Sequence, residues 1–180
     1  MNHLPPGFLY QSHFISKEEE AVLLNEITRL KWQKVELFGR IAKREVVHFG
    51  LDYTYHNRKV SPTIGLPEWS NFLISRVANY LQLSEKDIAE LLITKYLINA
   101  GIGWHRDAPV FDKVVGISLL NPCVLRLRSR VDHKNQYKIE LEAGSCYLLS
   151  NEARWNWEHS IFPLKNPRYS MTLRTLKLNK

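Results

Sequence analysis

Apolar residues in this chain follow helical spacing in two places before Leu83 and strand-like spacing nearly everywhere after it. Ser16 followed by Glu19 forms a capping box ahead of KEEEAVLLNEITRL, where Ala21, Leu24, Ile27 and neighbouring leucines recur at helical intervals. Pro67 opens a second helical pattern, EWSNFLISRVANYL, with Trp69, Phe72, Leu73, Val77 and Leu81 on one broad face. Between the two, KVELFGRIAKREVVHFGLDYTYH reads as short strands broken by Gly39 and Gly50. After Leu83 the segments ELLITKYLINA, VVGISLLNPCVLRLRS, QYKIELEAG, SCYLLS and RYSMTLRTLK follow, punctuated by Asn121–Pro122, Gly144 and Asn166–Pro167. Helices first and many short strands afterwards predict a β-sandwich or barrel backed by helices. With no repeat or long linker, residues 1–180 are expected to form a single domain.

Composition narrows the class. A chain of 180 residues, 44% apolar and 24% charged, is ordinary for a globular domain with its own core. The formal net charge of +7 is uneven. Residues 31–60 carry seven basic side chains against three acidic, 126–138 carry five against one, and 164–180 carry five with no acid. Clustered positive charge interleaved with aromatics suits a polyanion such as nucleic acid; general solubility with a basic tail is the plainer alternative. Cys123 and Cys146, each flanked by apolar residues, read as reduced core thiols. The opening MNHLPPGFLYQ lacks the charge and apolar run of a secretory signal, and no segment has the length of a membrane span. The expectation is a cytoplasmic protein (or a nuclear one in a eukaryote), not secreted, without membrane contact or an obligate protein partner, and monomeric.

Candidate chemistry centres on GWHRDAP, residues 103–109. On an extended strand His105 and Asp107 would share a face. Two imidazoles and one carboxylate can hold a non-haem iron on one side and leave positions open. Of the seven histidines, His159 in RWNWEHSIF is the best candidate for the second imidazole. A single histidine is more often a surface or satisfied core residue. In RYSMTLR the period of two puts Arg168, Ser170, Thr172 and Arg174 on one face and Tyr169, Met171 and Leu173 on the other. Two arginines facing inward would need anionic partners, which a dicarboxylate supplies; facing outward they would merely be solvated.

HRD at 105–107, His159 and RYSMTLR at 168–174, in that order, resemble the AlkB family of iron(II)- and 2-oxoglutarate-dependent dioxygenases, over about residues 7–176. The resemblance implies an α+β fold built on a double-stranded β-helix, or jelly roll. N-terminal helices would pack on one sheet, with a nucleotide-recognition lid at about 31–60 and the iron and 2-oxoglutarate core at about 90–176. It implies Fe(II) on His105, Asp107 and His159, with 2-oxoglutarate and O₂ as cosubstrates. Arg168 would meet the distal carboxylate of 2-oxoglutarate, Arg174 the carboxylate beside the metal, and Tyr96 would hydrogen-bond the cosubstrate. Thr94 and Ser170 stand where family members carry asparagines; both keep a hydroxyl that can hydrogen-bond.

The same resemblance implies oxidative demethylation of N-alkylated bases in DNA or RNA, the hydroxylated methyl leaving as formaldehyde. Tyr55 would stack on an extruded base and Tyr53 would hydrogen-bond it. Stacking of this kind contributes roughly 1–3 kcal/mol per base. Phe38 would be an intercalating finger, and Lys34, Arg40, Lys43, Arg44, Arg58 and Lys59 would face phosphates. Pro109 replaces the acid with which the founding member reads its base, so substrate preference does not transfer. Alternatives are the same chemistry on a tRNA nucleoside or a protein side chain, a non-enzymatic nucleic-acid-binding β-sandwich, and a cupin-like zinc hydrolase or isomerase.

Overall fold

A computed structural model describes residues 4–37, 39–54 and 59–177. Of the candidate substrate residues, Phe38, Tyr55 and Arg58 lie outside the described residues. The chain begins with strand β1 (Phe8–Gln11) and helix α1 (Lys17–Ile27). Strands β2 (Gln33–Leu37), β3 (Arg40–Phe49), β4 (Leu51–Thr54) and β5 (Lys59–Pro62) precede helix α2 (Asn71–Leu81). Strands β6 (Ile88–Tyr96), β7 (Ile102–His105), β8 (Phe111–Leu119), β9 (Cys123–Ser129), β10 (Gln136–Leu141) and β11 (Cys146–Leu149) follow. A short helix α3 (Asn151–Trp155) leads to β12 (Trp157–Ile161) and β13 (Arg168–Leu176).

Both expected helices form, for the local reasons the sequence offers. Ser16 Oγ accepts from the Glu19 backbone N–H at 3.2 Å, and the Glu19 carboxylate accepts from the Ser16 N–H at 2.8 Å. Leu23 and Ile27, four apart, are fully buried, whereas Ala21 on the expected stripe is exposed. Gln82, in the left-handed region at φ 55°, ends α2.

Strand order explains where the core sits. Seven strands run β1-β11-β8-β13-β6-β3-β2, four run β10-β9-β12-β7, and β4 pairs with β5. Alternation along the central strands splits the large sheet into two faces. Leu91, Ile93, Val115, Ile117, Met171 and Leu173 join Leu23, Ile27, Leu73 and Val77 of the two long helices in one apolar cluster. Tyr96, Val114 and Leu149 from the large sheet join Leu125, Leu127, Leu141 and Trp157 from the small sheet in a second cluster. The central sheet is therefore covered by the two long helices on one face and by the small sheet on the other, with one core on each side. Both cysteines are buried and free, as their apolar flanks predict.

Residues 31–60 divide between two sheets. Strands β2 and β3 are the edge of the seven-stranded sheet, with Val47 paired to Ile93, while β4 and β5 pair only with each other. Strands β1, β7 and β12 and the short α3 carry too little periodic signal to read from sequence. Among the described residues no helix is long and apolar enough to cross a membrane.

Glu19 also grips Arg76 of α2, with contacts of 2.6 and 2.7 Å, fastening α1 to α2. That hydrogen bond, and the one from Ser16, hold the Glu19 carboxyl down at about 2. A depressed carboxyl stabilises the fold above its unfolded pKa and loses that contribution as pH falls toward the folded value. Both side chains are partly exposed, so Glu19→Gln is expected to lower stability by about 1 kcal/mol at neutral pH. Urea unfolding of both proteins at several pH values should show the difference shrinking below about pH 4.5 and vanishing near pH 2.

Candidate metal and cosubstrate site

Register brings the first two candidate ligands together. Strand β12 lies antiparallel to β7 with His159 directly opposite His105. The two imidazole centroids are 4.2 Å apart. Asp107 is not on the strand: β7 ends at His105, and Pro109, with no N–H, cannot continue a ladder. The carboxylate reaches the histidines from a loop instead, its Oδ2 3.5 Å from His159 Nε2. Shared strand alternation therefore predicts the right neighbour for the wrong reason.

That loop is held by a residue the sequence reading overlooked. Arg154, buried on α3, donates through Nη2 to the backbone oxygens of Asp107, Ala108 and Phe111 at 3.3, 2.7 and 2.8 Å. Its signal in sequence is slight: one arginine among the tryptophans of RWNWEH.

The electrostatics suit a cation. Burial, then the neighbouring His105, pushes the His159 imidazole down to about 3 despite Asp107. Burial likewise lowers His105. Burial alone would raise Asp107, but Arg174 above all, then the two imidazoles, hold it well below the usual carboxylate range. Two neutral imidazoles beside one carboxylate are the protonation states a divalent metal requires. His105 Nδ1 donates to the Gly103 carbonyl at 2.9 Å, which leaves Nε2 as the free lone pair. Asp107 Oδ2 is buried with no hydrogen-bond partner among the described residues. Two donors on one ion sit about 3 Å apart, close to the separation of Asp107 and His159. Among the described residues no group of three or more His, Cys, Asp or Glu side chains is already placed to hold a metal ion. The donor set nonetheless fits a 2-His-1-carboxylate centre in type, protonation and proximity.

Behind these residues lies the inner face of the large sheet. Arg168 is 1% exposed; its Nε donates to Ser118 Oγ at 3.2 Å, and its Nη1 is buried with no hydrogen-bond partner among the described residues. Tyr96 sits opposite Arg168 across the strands, and its ring centroid is 5.4 Å from the guanidinium. Ser170 lies between Thr94 and Ser118, so three buried hydroxyls form a row beside Arg168. The Tyr147 ring covers Gly116, where a Cβ would come within 2.3 Å of it. Arg174 has a different environment. Nη1 reaches Glu90 Oε2 at 2.7 Å, and Nη2 contacts Asp107 Oδ1. Glu90 and Ser118 are further residues not singled out from sequence; each occupies an inner-face position on a strand of the large sheet, which is the signal that could have found it.

The candidate substrate residues are less gathered. Arg44 on β3 pairs with Tyr96, and its charge acts on both Tyr96 and His105. Tyr53 is half-buried on β4. Lys34 and Lys43 are exposed, as a phosphate contact requires.

The chain resembles known proteins in sequence and fold. The family model described as the 2OG-Fe(II) oxygenase superfamily matches residues 7–179. The mouse tRNA (carboxymethyluridine(34)-5-O)-methyltransferase ALKBH8 is 28% identical over 171 residues, covering 90% of this chain and 25% of that protein. The Caenorhabditis elegans DNA N6-methyl adenine demethylase is 22% identical over 179 residues, covering 93% and 59%. This chain thus spans about a quarter of the mouse protein and just over half of the nematode one. Among solved structures, OsALKBH1 superimposes with a TM-score of 0.74 at 15% identity, over 96% of this chain and 98% of that one. A Pseudomonas putida prolyl-4-hydroxylase gives 0.69 at 16% identity, over 96% and 94%. These likenesses identify the mostly-β α+β fold as the double-stranded β-helix expected from sequence. With nearly every residue covered by the family model, the chain belongs to the 2OG-Fe(II) oxygenase superfamily, as an AlkB-like enzyme whose family uses Fe(II) and 2-oxoglutarate.

Proposed function

We propose that His105, Asp107 and His159 hold Fe(II), that Arg168 binds the distal carboxylate of 2-oxoglutarate, and that the enzyme demethylates N-alkylated bases in DNA or RNA. The observation that carries the cosubstrate site is Arg168, a buried guanidinium with an unpaired Nη1 beside a row of hydroxyls. An uncompensated buried cation is costly, and a bidentate carboxylate is the partner that satisfies it. Tyr96, Thr94 and Ser170 orient the bound keto acid, while Asp107 keeps its negative charge for the metal. Iron with 2-oxoglutarate and O₂ supplies the oxidising power to hydroxylate a C–H bond. The chain itself aims the substrate, excludes water and holds the ligands still.

Nucleic acid as substrate is supported by the basic excess of residues 31–60 and by the name of the nematode relative. Residues of about 31–60 serve as the recognition lid in this reading, with Tyr53 and Tyr55 on the base, Arg44 near the pocket and Phe38 as a finger into a duplex. A tRNA nucleoside is the second reading, favoured by the name of the mouse relative. Protein loaded anaerobically with Fe(II) is mixed with 2-oxoglutarate and oligonucleotides bearing 1-methyladenine, 3-methylcytosine or N6-methyladenine, as DNA and as RNA. Stoichiometric succinate and formaldehyde with at least one of these is expected. Turnover confined to whole tRNA or to peptides would reject base demethylation and leave the oxygenase assignment in place. Asp107→Ala should abolish turnover. Arg168→Ala should raise the 2-oxoglutarate KM about 100-fold, equivalent to losing about 3 kcal/mol of charge-assisted hydrogen bonding, with metal binding unchanged.

A further inference from the structure

One buried acid in this molecule has no place in the cosubstrate or substrate reading. Glu90 is completely buried, on the inner face of β6 directly opposite Arg174 of β13. Both of its oxygens are engaged: Oε2 accepts from Arg174 Nη1 at 2.7 Å, and Oε1 accepts from His48 Nδ1 at 2.9 Å. His48, on β3, is also 3.5 Å from Asp52 Oδ1 on β4. The other arm of Arg174 contacts Asp107 Oδ1, and the guanidinium lies 5.2 Å from the Phe111 ring centroid. A line of polar contacts therefore runs from β4, through β3, β6 and β13, to the loop that carries Asp107.

We infer that Glu90 is a positioning residue that, through Arg174, keeps the Asp107 carboxylate oriented for a metal ion. The inference rests on the proposed role of Asp107 as a ligand. Arg174 holds Oδ1, and Oδ2 is left without a hydrogen bond, turned toward His159. In that arrangement the arginine fixes the carboxylate, yet it also competes with any cation for its charge. Glu90 resolves the conflict, because a second carboxylate on the same guanidinium offsets its charge and anchors it from the opposite side. Without that acid, more of the guanidinium charge bears on Asp107, where it competes with a dication. Partners that orient a ligand in this way typically change metal affinity by about 10–100-fold when removed.

The test is equilibrium binding of Mn(II) to the full chain, read from the EPR signal of the free ion, alongside thermal melting of the metal-free protein. Glu90→Gln keeps an acceptor for Arg174 and loses the charge; it is expected to weaken Mn(II) binding about tenfold. Glu90→Asp keeps the charge one methylene further back and is expected to recover part of that loss. Mn(II) affinity within twofold of wild type in Glu90→Gln, with only the melting temperature lowered, overturns the inference and makes Glu90 a structural ion-pair partner. If the Gln variant does not fold, the Asp variant carries the comparison, and an affinity equal to wild type overturns it. Wild-type protein that takes up no Mn(II) rejects the ligand assignment itself, an outcome distinct from both.

Discussion

The cost of burying charge governs the interior of this molecule. A jelly roll closes two sheets over a space that most proteins fill with aliphatic side chains, and here the small sheet does so with Leu125, Leu127 and Leu141. The facing surface of the large sheet instead carries Glu90, Thr94, Ser118, Arg168, Ser170 and Thr172, all buried, and the nearly buried Arg174. Charges in such a place survive only when paired and hydrogen-bonded. Each pairing in the site is one instalment of that requirement.

The two arginines of β13 meet the requirement differently. Arg174 is offset within the protein by Glu90 and Asp107, so its charge holds the Asp107 carboxylate in place. Arg168 finds a hydroxyl, a tyrosine ring and an unfilled Nη1. Six residues apart on one strand face, they look equivalent in sequence; the strands opposite them make them unlike. The difference sits on β6, where Glu90 faces one arginine and Tyr96 faces the other.

That contrast also explains what the sequence could convey. Period-two alternation along β13 was enough to put both arginines on the inner face, and helical spacing with a capping box was enough for α1. Neither pattern reports a partner from another strand, so Glu90, Ser118 and His48 passed unremarked despite their contacts. His159 was identified by elimination and resemblance, and its facing of His105 depends on the β7–β12 register, which a four-residue and a five-residue strand cannot announce. Asp107 drew notice through strand alternation, but its position depends on a loop braced by Arg154. Long-range hydrogen bonds from one buried arginine to three carbonyl oxygens leave no periodic trace.

A further consequence concerns the region between the two helices. Strand β3 is at once an edge-side strand of the core sheet, the carrier of Arg44 beside Tyr96, and the carrier of His48 beside Glu90. Strand β4 follows it directly after Gly50, whose φ of 80° and approach to the Ala89 carbonyl exclude a side chain there. Arg44 and His48 are therefore mounted on the seven-stranded sheet, whereas Tyr53 sits on the separate two-stranded sheet that follows Gly50. His48 is linked to Asp107 by three hydrogen bonds, through Glu90 and Arg174, across the β3–β6 and β6–β13 strand pairs. Backbone pairing along β3 and β6 thus fixes Arg44 beside Tyr96 and His48 beside Glu90, which is the positional accuracy a site built on strands provides.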